Sequence, residues 1–473
     1  MNSIEKDLSD AMELVSTINV IGVIDHGGRA GSNFCQCLFD THPNIVTCPI
    51  VHYVYSYWVS LFGEREVISS DEGLDFVMNS SYFKYLYNEP VNESSDFIAR
   101  LGGDAAVAVN RKHFRLMIES YFEKNQEVKR GSFIAFLYAA YAVISGKKLS
   151  DIKYFLVIDA VSLRNENVFD GYKGLVIDKM QEDFLDAKII LLVRDPRAQI
   201  ASIRHELVNI YENNYKITPR TFFGQFVRLV TDKISIENGP AHLIAYLYHA
   251  AAARAVFSRC IGINSKIMIL KNEDINLNFL PIMDALCNKL EVDTDPYWFH
   301  ENYIPTMLGV TWRGTGAYSN SYQRSVNGPL KNDSNELAKK SVGPNKIVTE
   351  RWKKRLQPWE IELIERLYQE ELTFLGYDMF YNQEKRSDLL CLLRTAWLPT
   401  NGEFPFPLWI LNGYKEGGGV ILKRLFYTLV FPLLYFTARY KLYRYVLSNK
   451  LFTRIVAPEI NKDYILCPSN PSD

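Results

Sequence analysis

Net charge, cysteine pairs and the lysine of an ATPase loop are all missing from this chain, and each absence removes a class of function. A formal net charge of −1 provides no bulk attraction to nucleic acid, so no such partner is expected. The seven cysteines are odd in number and scattered. Cys35 and Cys37 stand two apart on a predicted helix, a spacing that turns them to different faces and yields neither a metal pair nor a disulfide. Reduced thiols are the plain reading, and with them a cytoplasmic setting. The opening residues MNSIEKDLSDAMELVST contain acids and no apolar signal core, so secretion is not expected. No internal repeat is evident. What remains is a chain of 473 residues, 48% hydrophobic, enough to bury a large core as one main domain with an addition.

The first positive signal is INVIGVID followed by HGGRAGSNF: an apolar, β-branched run, a glycine-rich turn and a helix. Glycines at 27, 28 and 31 let backbone approach an anion, and the amides at the helix start favour negative charge there. Arg29 and Ser32 add side-chain donors. A nucleoside-triphosphatase loop ends in Gly-Lys-Ser/Thr, so that lysine reaches the outer phosphates and the hydroxyl holds magnesium. Here Gly31 runs directly into Ser32. A metal-assisted ATPase is disfavoured, although Arg29 supplies positive charge at another point of the loop.

The second signal is AKIILLVRDPRAQIASIRHE, an apolar strand from Lys188 to Val193, then a turn and a helix opened by Pro196. Arg194 falls at the C-terminal edge of the strand, and Ser202, eight residues on, faces the same mouth. A planar guanidinium with a hydroxyl suits a terminal phosphate. The competing reading is an ordinary ion pair of Arg194 with Asp195 or Glu206. Two phosphate-binding signals in one chain imply a ligand with two separate phosphate ends.

At these residues the chain resembles the sulfotransferases that use 3′-phosphoadenosine 5′-phosphosulfate (PAPS), especially the branch acting on carbohydrate, lipid or protein acceptors. IGVIDHGGRAGSNFCQCLFDTHP resembles the family's 5′-phosphosulfate loop and helix, and LLVRDPRAQIAS its 3′-phosphate motif, including the Arg-to-Ser spacing. KIMILKNEDI resembles a family strand ending in Glu-Asp, and RWKKRLQPWEIELIERLYQEELTFLGYD its closing helix. The resemblance spans roughly residues 15 to 380.

It implies an α/β, P-loop-like three-layer fold with a central parallel sheet flanked by helices. Gly28, Arg29, Ala30, Gly31, Ser32 and Asn33 would surround the 5′-phosphosulfate, and Arg194 with Ser202 would hold the 3′-phosphate. Lys179, in GLVIDK, resembles the family lysine beside the transferred sulfuryl group, and Arg29 joins it at the reacting end. Arg313 and Gly314, after Trp312, fall where the family places a loop over the nucleotide. PAPS is then the donor substrate, with no metal.

The chain departs from the family at the general base. Some relatives place Glu shortly after the His-Pro of the first helix, where HPNIVTCPIVH has Pro49; cytosolic relatives place His two residues after the lysine, where Gln181 stands. His52 is the leading candidate, because it follows a predicted strand from Ile45 to Cys48, with His26 and His205 behind it; an imidazole titrates near neutrality, as the task requires.

Helices are expected over Asp104–Lys124, Gly131–Ile144 and Ala241–Cys260. Aromatics from Tyr297 to Tyr303 either line an acceptor pocket or serve as core. Asn320 to Asn345 reads as a polar loop suited to acceptor specificity.

The sulfotransferase-like domain is expected over residues 1–384 and an apolar, basic helical extension over 385–473. Its uncharged run Leu425–Ala438 has 14 residues, and Pro432 within it. That is short of the roughly 20 needed to span a bilayer. Between Lys415 and Arg454 stand eight Lys or Arg and one acid, Glu416. The pattern suits a segment lying peripherally in a membrane interface, with packing on the enzyme as the alternative. Two rivals to the sulfotransferase reading stay open: a magnesium-dependent nucleotide kinase, and a noncatalytic nucleotide-binding adaptor at a membrane.

Overall fold

The computed structural model describes residues 3–25, 29–48, 53–79, 111–160, 176–202, 267–300, 303–307, 310–311, 343–356 and most of 361–380, with a few single positions including Leu466. Helix α1 (Ser3–Thr17) leads into β1 (Asn19–Asp25), α2 (Ser32–Leu38), β2 (Ile45–Thr47) and α3 (Val54–Phe62). Then follow β3 (Val67–Ser69), α4 (Ser70–Asn79), α5 (Arg111–Lys124), β4 (Glu127–Lys129), α6 (Arg130–Ile144) and β5 (Tyr154–Ala160). Helix α7 (Val176–Asp183) precedes β6 (Lys188–Val193), and residues 196–202 begin another helix. The chain continues through β7 (Ile267–Lys271), α8 (Asn272–Leu277), α9 (Phe279–Leu290), the short pair β8 (Thr306–Met307) and β9 (Val310–Thr311), α10 (Lys346–Glu350), α11 (Trp352–Arg355) and α12 (Gln369–Phe374).

The core is a five-stranded sheet in the order β2-β5-β1-β6-β7, every pair parallel. Parallel strands covered on both faces read as continuous apolar runs rather than as alternation. NVIGVID, YFLVIDA, KIILLV and IMILK all do so, and Ile21, Ile24, Phe155, Leu191 and Ile269 are fully buried. Right-handed crossovers put α2 on one face and α6 and α7 on the other. Helix α7 comes closest at Gly22, where a β-carbon would lie 2.5 Å from the Met180 sulfur. The fold is therefore α/β with a central parallel sheet flanked by helices.

The predicted strand over Lys188–Val193 is observed with those bounds; of the helix predicted over Asp104–Lys124, 111–124 is observed and 104–110 lies outside the described residues, and the helix predicted over Gly131–Ile144 is present, beginning at Arg130. Among the elements not anticipated are α1, which buries Leu8, Ala11 and Leu14 against α6, and β5, the strand between β2 and β1.

The strand order creates one switch point. The chain leaves β1 towards β2 and leaves β6 towards β7, so the loops after two neighbouring strands diverge. Open parallel sheets bind ligands in the crevice formed there. Both phosphate-binding signals end at this crevice.

Among the described residues no helix is long and apolar enough to cross a membrane. Residues 415–454 lie almost wholly outside the described residues, as does 241–260. Leu466, from the expected extension, is buried and donates its backbone N–H to the Ile269 carbonyl on the edge strand β7 at 3.0 Å.

Candidate functional site

Register sets the floor of the crevice. Ile24 pairs with Asp159, Asp25 with both Ala160 and Leu192, and Val193 with Lys271, so the carboxyl ends of β1, β5, β6 and β7 finish level.

Of the first loop, Arg29 to Asn33 are described. Arg29 holds a left-handed conformation at φ 62°, which costs a non-glycine residue free energy and turns the chain sharply. Gly31 follows at φ 106°. A β-carbon at Gly31 would stand 2.1 Å from Asn272 Nδ2, so this glycine is required both by its dihedral and by the amide packed against it. Ser32 and Ala30 are buried and Asn33 half-buried; the Gly31 carbonyl accepts from Cys35 N at 2.9 Å to start α2.

Arg194 joins the two signals. Its Nη1 donates to the Arg29 carbonyl at 3.0 Å, and its Nη2 to the Val348 carbonyl at 3.2 Å. Arg29 in turn donates from Nε to Ser202 Oγ at 3.3 Å. Arg29, Arg194 and Ser202 thus form one cluster, with the Arg29 side chain crossing to the Ser202 end. Arg194 Nε is inaccessible and has no acceptor among the described residues. Burial lowers the Arg194 pKa, Glu273 works against this, and Arg29 and Arg355 add to it.

The anticipated alternative was a pair of Arg194 with Asp195 or Glu206; at Asp195 Arg197 takes the partner instead, and Glu206 lies outside the described residues. Asp195 accepts from Arg197 Nε and Nη2 at 2.9 and 2.7 Å and from its backbone N at 2.8 Å, while Arg197 Nη1 reaches Glu365 at 2.5 Å. The Arg197 guanidinium lies over the Trp352 ring, 4.4 Å from its centroid. Arg197 is a structural lock, and Arg194 is left to face the crevice. Glu273, at the head of α8, steadies the same turn: it accepts from Asp195 N at 3.1 Å and Tyr377 Oη at 2.6 Å. Burial raises the Glu273 pKa, and nearby Asp195 adds to this.

Lys179 lies on the first half of α7, buried apart from its ammonium partners. Its Nζ is 2.7 Å from Glu64 and 3.1 Å from Glu182. Burial opposes the charge, but Glu64 and Glu182 outweigh it and hold the pKa above its usual value. No contact between Lys179 and the arginine cluster is present among the described residues.

Sequence reasoning missed Tyr53, Asp25 and Asp159. Tyr53 also has a left-handed backbone, φ 57°. Burial, then the Asp25 charge, raises its pKa. Asp25 and Asp159 are buried at the ends of β1 and β5. Asp159 accepts from Tyr55 N at 2.7 Å and Ser56 Oγ at 2.5 Å, fastening α3 to the crest. A signal existed: both strands end in Val-Ile-Asp or its extension, acids where an apolar run meets a ligand edge.

Gly28, His26, His52, His205, Arg313 and Gly314 lie outside the described residues. The aromatic stretch divides: Trp298 is core, donating to the Leu38 carbonyl at 3.0 Å, and Tyr297 and Phe299 are exposed. Cys35, Cys37, Cys48 and Cys287 are buried free thiols, and burial pushes the Cys35 thiol up to about 12, which removes it from nucleophilic chemistry. Comparisons with family models, curated proteins and solved structures gave no match.

Proposed function

We propose that the chain is a PAPS-dependent sulfotransferase with a P-loop-like core, moving a sulfuryl group to a hydroxyl or amine of a carbohydrate, lipid-linked or protein acceptor. One observation carries the reading: Arg194 and Arg29, 165 positions apart, are hydrogen-bonded at the switch point of the sheet, with Ser202 beside them. A single ligand can therefore meet both signals.

The residues fit the anionic donor. Arg194 Nε is a buried donor without an acceptor among the described residues, and a buried donor left unmet costs about 1–3 kcal/mol, so an oxygen-rich anion is the natural partner. Arg194 and Ser202 would hold the 3′-phosphate; residues 28 to 33 would line the 5′ end, with Arg313 and Gly314 over the nucleotide.

The bound donor supplies a sulfuryl group on a phosphate leaving group: a bond from sulfur to the acceptor oxygen or nitrogen forms as the sulfur–oxygen bond to phosphate breaks. Loop amides, Arg29 and Lys179 then stabilise negative charge on the phosphate oxygen. His52 is the proposed base for the acceptor proton. Lys179 must first leave Glu64, whose side chain is 61% exposed. Glu64 and Glu182 are both solvent-accessible carboxylates that water can stabilise alone, so the lysine can part from them without leaving a buried charge behind.

Incubation of the full chain with labelled PAPS and mixed glycan, lipid and protein acceptors tests the activity. Transfer that persists with a chelator supports it. Dependence on magnesium and a nucleoside triphosphate would instead favour a kinase, and nucleotide binding without transfer an adaptor. Peripheral membrane contact through 415–454 is tested by sedimentation with anionic vesicles, comparing the parent with a variant carrying Gln at Lys423, Arg424, Lys441 and Arg444.

A further inference from the structure

Strand β7 stands at one end of the sheet, and among the described strands it pairs with β6 alone. An edge strand presents a row of backbone N–H and C=O groups that another extended segment can meet. Two distant parts of the chain are fastened to this one strand and to the turn that follows it.

The first is the stretch that ends at Phe380. Lys271, the last residue of β7, donates from Nζ to the Leu375 carbonyl at 3.4 Å and lies 5.8 Å from the centroid of the Tyr377 ring. Glu273, two residues on, accepts from Tyr377 Oη at 2.6 Å. Beyond it the Asp378 carbonyl accepts from Arg197 Nη1 at 2.8 Å, and Phe380 N donates to Glu365 Oε1 at 2.9 Å. The second part is Leu466, whose N–H meets the Ile269 carbonyl at 3.0 Å. Leu375 and Leu466 are both buried in the same apolar core. Ile269 and Lys271 stand only about 7 Å apart along a strand. Residues 381–465 therefore run between two anchors on β7.

The residues around the second anchor suit a sheet edge. Tyr464, Ile465, Leu466 and Cys467 are a short apolar run, two of them strong strand formers, set between Lys462-Asp463 and Pro468. Proline is tolerated at an edge and ends pairing there, because it has no N–H to give.

We propose that the β7 edge is an interaction surface for an extended apolar peptide, and that its occupant is the Leu466 segment of this same chain, seated as a latch. The Leu466 side chain is the hydrophobic anchor and its N–H the backbone contact. The basic run Lys415–Arg454 is then held from both sides instead of trailing from Phe380 alone. An occupied edge also denies a second copy of the chain the same donors and acceptors.

Two measurements on the full chain test the latch. In hydrogen exchange, the Leu466 amide of the parent should exchange at least about a hundredfold more slowly than an open amide. Exchange at the open-chain rate overturns the proposal without any substitution. For the second measurement, a protease site is inserted just before Gly419, which is exposed and has open space around it. After cleavage, the fragment carrying Leu466 should stay with the body in gel filtration. Leu466→Asp puts an unpaired charge at the buried anchor and should raise the dissociation constant of that fragment by about tenfold or more. Where Leu466→Asp folds poorly, the cleaved parent gives the same reading: excess free peptide 461–473 should release the fragment, and the peptide carrying Leu466→Asp should not. A fragment that leaves the cleaved parent unprompted, or that stays equally well bound through the substitution and the peptide challenge, overturns the latch. The donor reading stands or falls separately, on the labelled-PAPS assay.

Discussion

The guanidinium of Arg194 donates to the backbone carbonyl of Arg29 at 3.0 Å, and the side chain of Arg29 reaches Ser202 at 3.3 Å. The loops after β1 and β6 are thereby one mechanical unit, so a change at Arg194 acts on both. Arg194→Ala should weaken binding of adenosine 3′,5′-bisphosphate by about ten- to a hundredfold, the range for a charge-assisted hydrogen bond, and of its analogue without the 3′-phosphate by much less. Equal losses, measured by titration of both nucleotides, would count against the assignment.

Gly31→Ala meets two obstacles, the positive φ of 106° and the Asn272 amide 2.1 Å from the new carbon. The backbone strain alone is about 1–3 kcal/mol. Denaturant unfolding should show at least that loss, and Asn272→Ala in the same chain should return only the part due to collision. Unchanged stability would mean that the loop adopts another conformation.

Lys179→Met separates charge from fold. Its partners Glu64 and Glu182 can be solvated alone and Met keeps the buried stem, so stability should shift by no more than about 2 kcal/mol. Turnover in the labelled-PAPS assay should nonetheless fall by about a hundredfold or more while nucleotide affinity holds. Turnover equal to that of the parent removes Lys179 from the reaction.

Arg197→Leu strips Asp195 and Glu365 of the guanidinium between them, and both carboxylates are buried. Breaking such a pair costs about 3–5 kcal/mol. The urea midpoint should drop accordingly; a midpoint like the parent's would show that the lock at Trp352 is dispensable.

His42 makes stability depend on acid. Burial, followed by the Lys147 charge, lowers its pKa to about 4, and its Nδ1 accepts from Asn44 N at 3.1 Å, a bond that protonation of that nitrogen abolishes. A histidine with a depressed folded pKa contributes stability that is complete above its unfolded value, about 6.5, and is lost as pH falls towards about 4. The loss should reach about 2–4 kcal/mol near the bottom of that window. His42→Gln, followed by tryptophan fluorescence during denaturation at a series of pH values, should flatten the slope between those limits. A slope as steep as the parent's would place the acid sensitivity elsewhere.

Local chemistry was enough to find the parts of this protein that depend on local chemistry. Continuous apolar runs marked β1 and β6, as a strand buried on both faces favours, the resemblance of KIMILKNEDI to a family strand marked β7, and Pro196 marked the start of a helix because its fixed φ fits there. Arg29, Arg194 and Ser202 were legible as anion donors from their places beside glycines and strand ends. Tertiary structure alone decided that they share a crevice, since strand order is set by long-range pairing that no window of sequence records. It also decided which arginine of Arg-Asp-Pro-Arg faces the ligand edge: Arg197 finds Glu365 and Trp352, more than 150 positions away, and its capture by Asp195 leaves Arg194 free to turn towards Arg29. β5 went unremarked although Ser145-Gly146 and Ser150-Asp151 punctuate the chain before its apolar run, and its place between β2 and β1 could come only from the long-range pairing of the sheet.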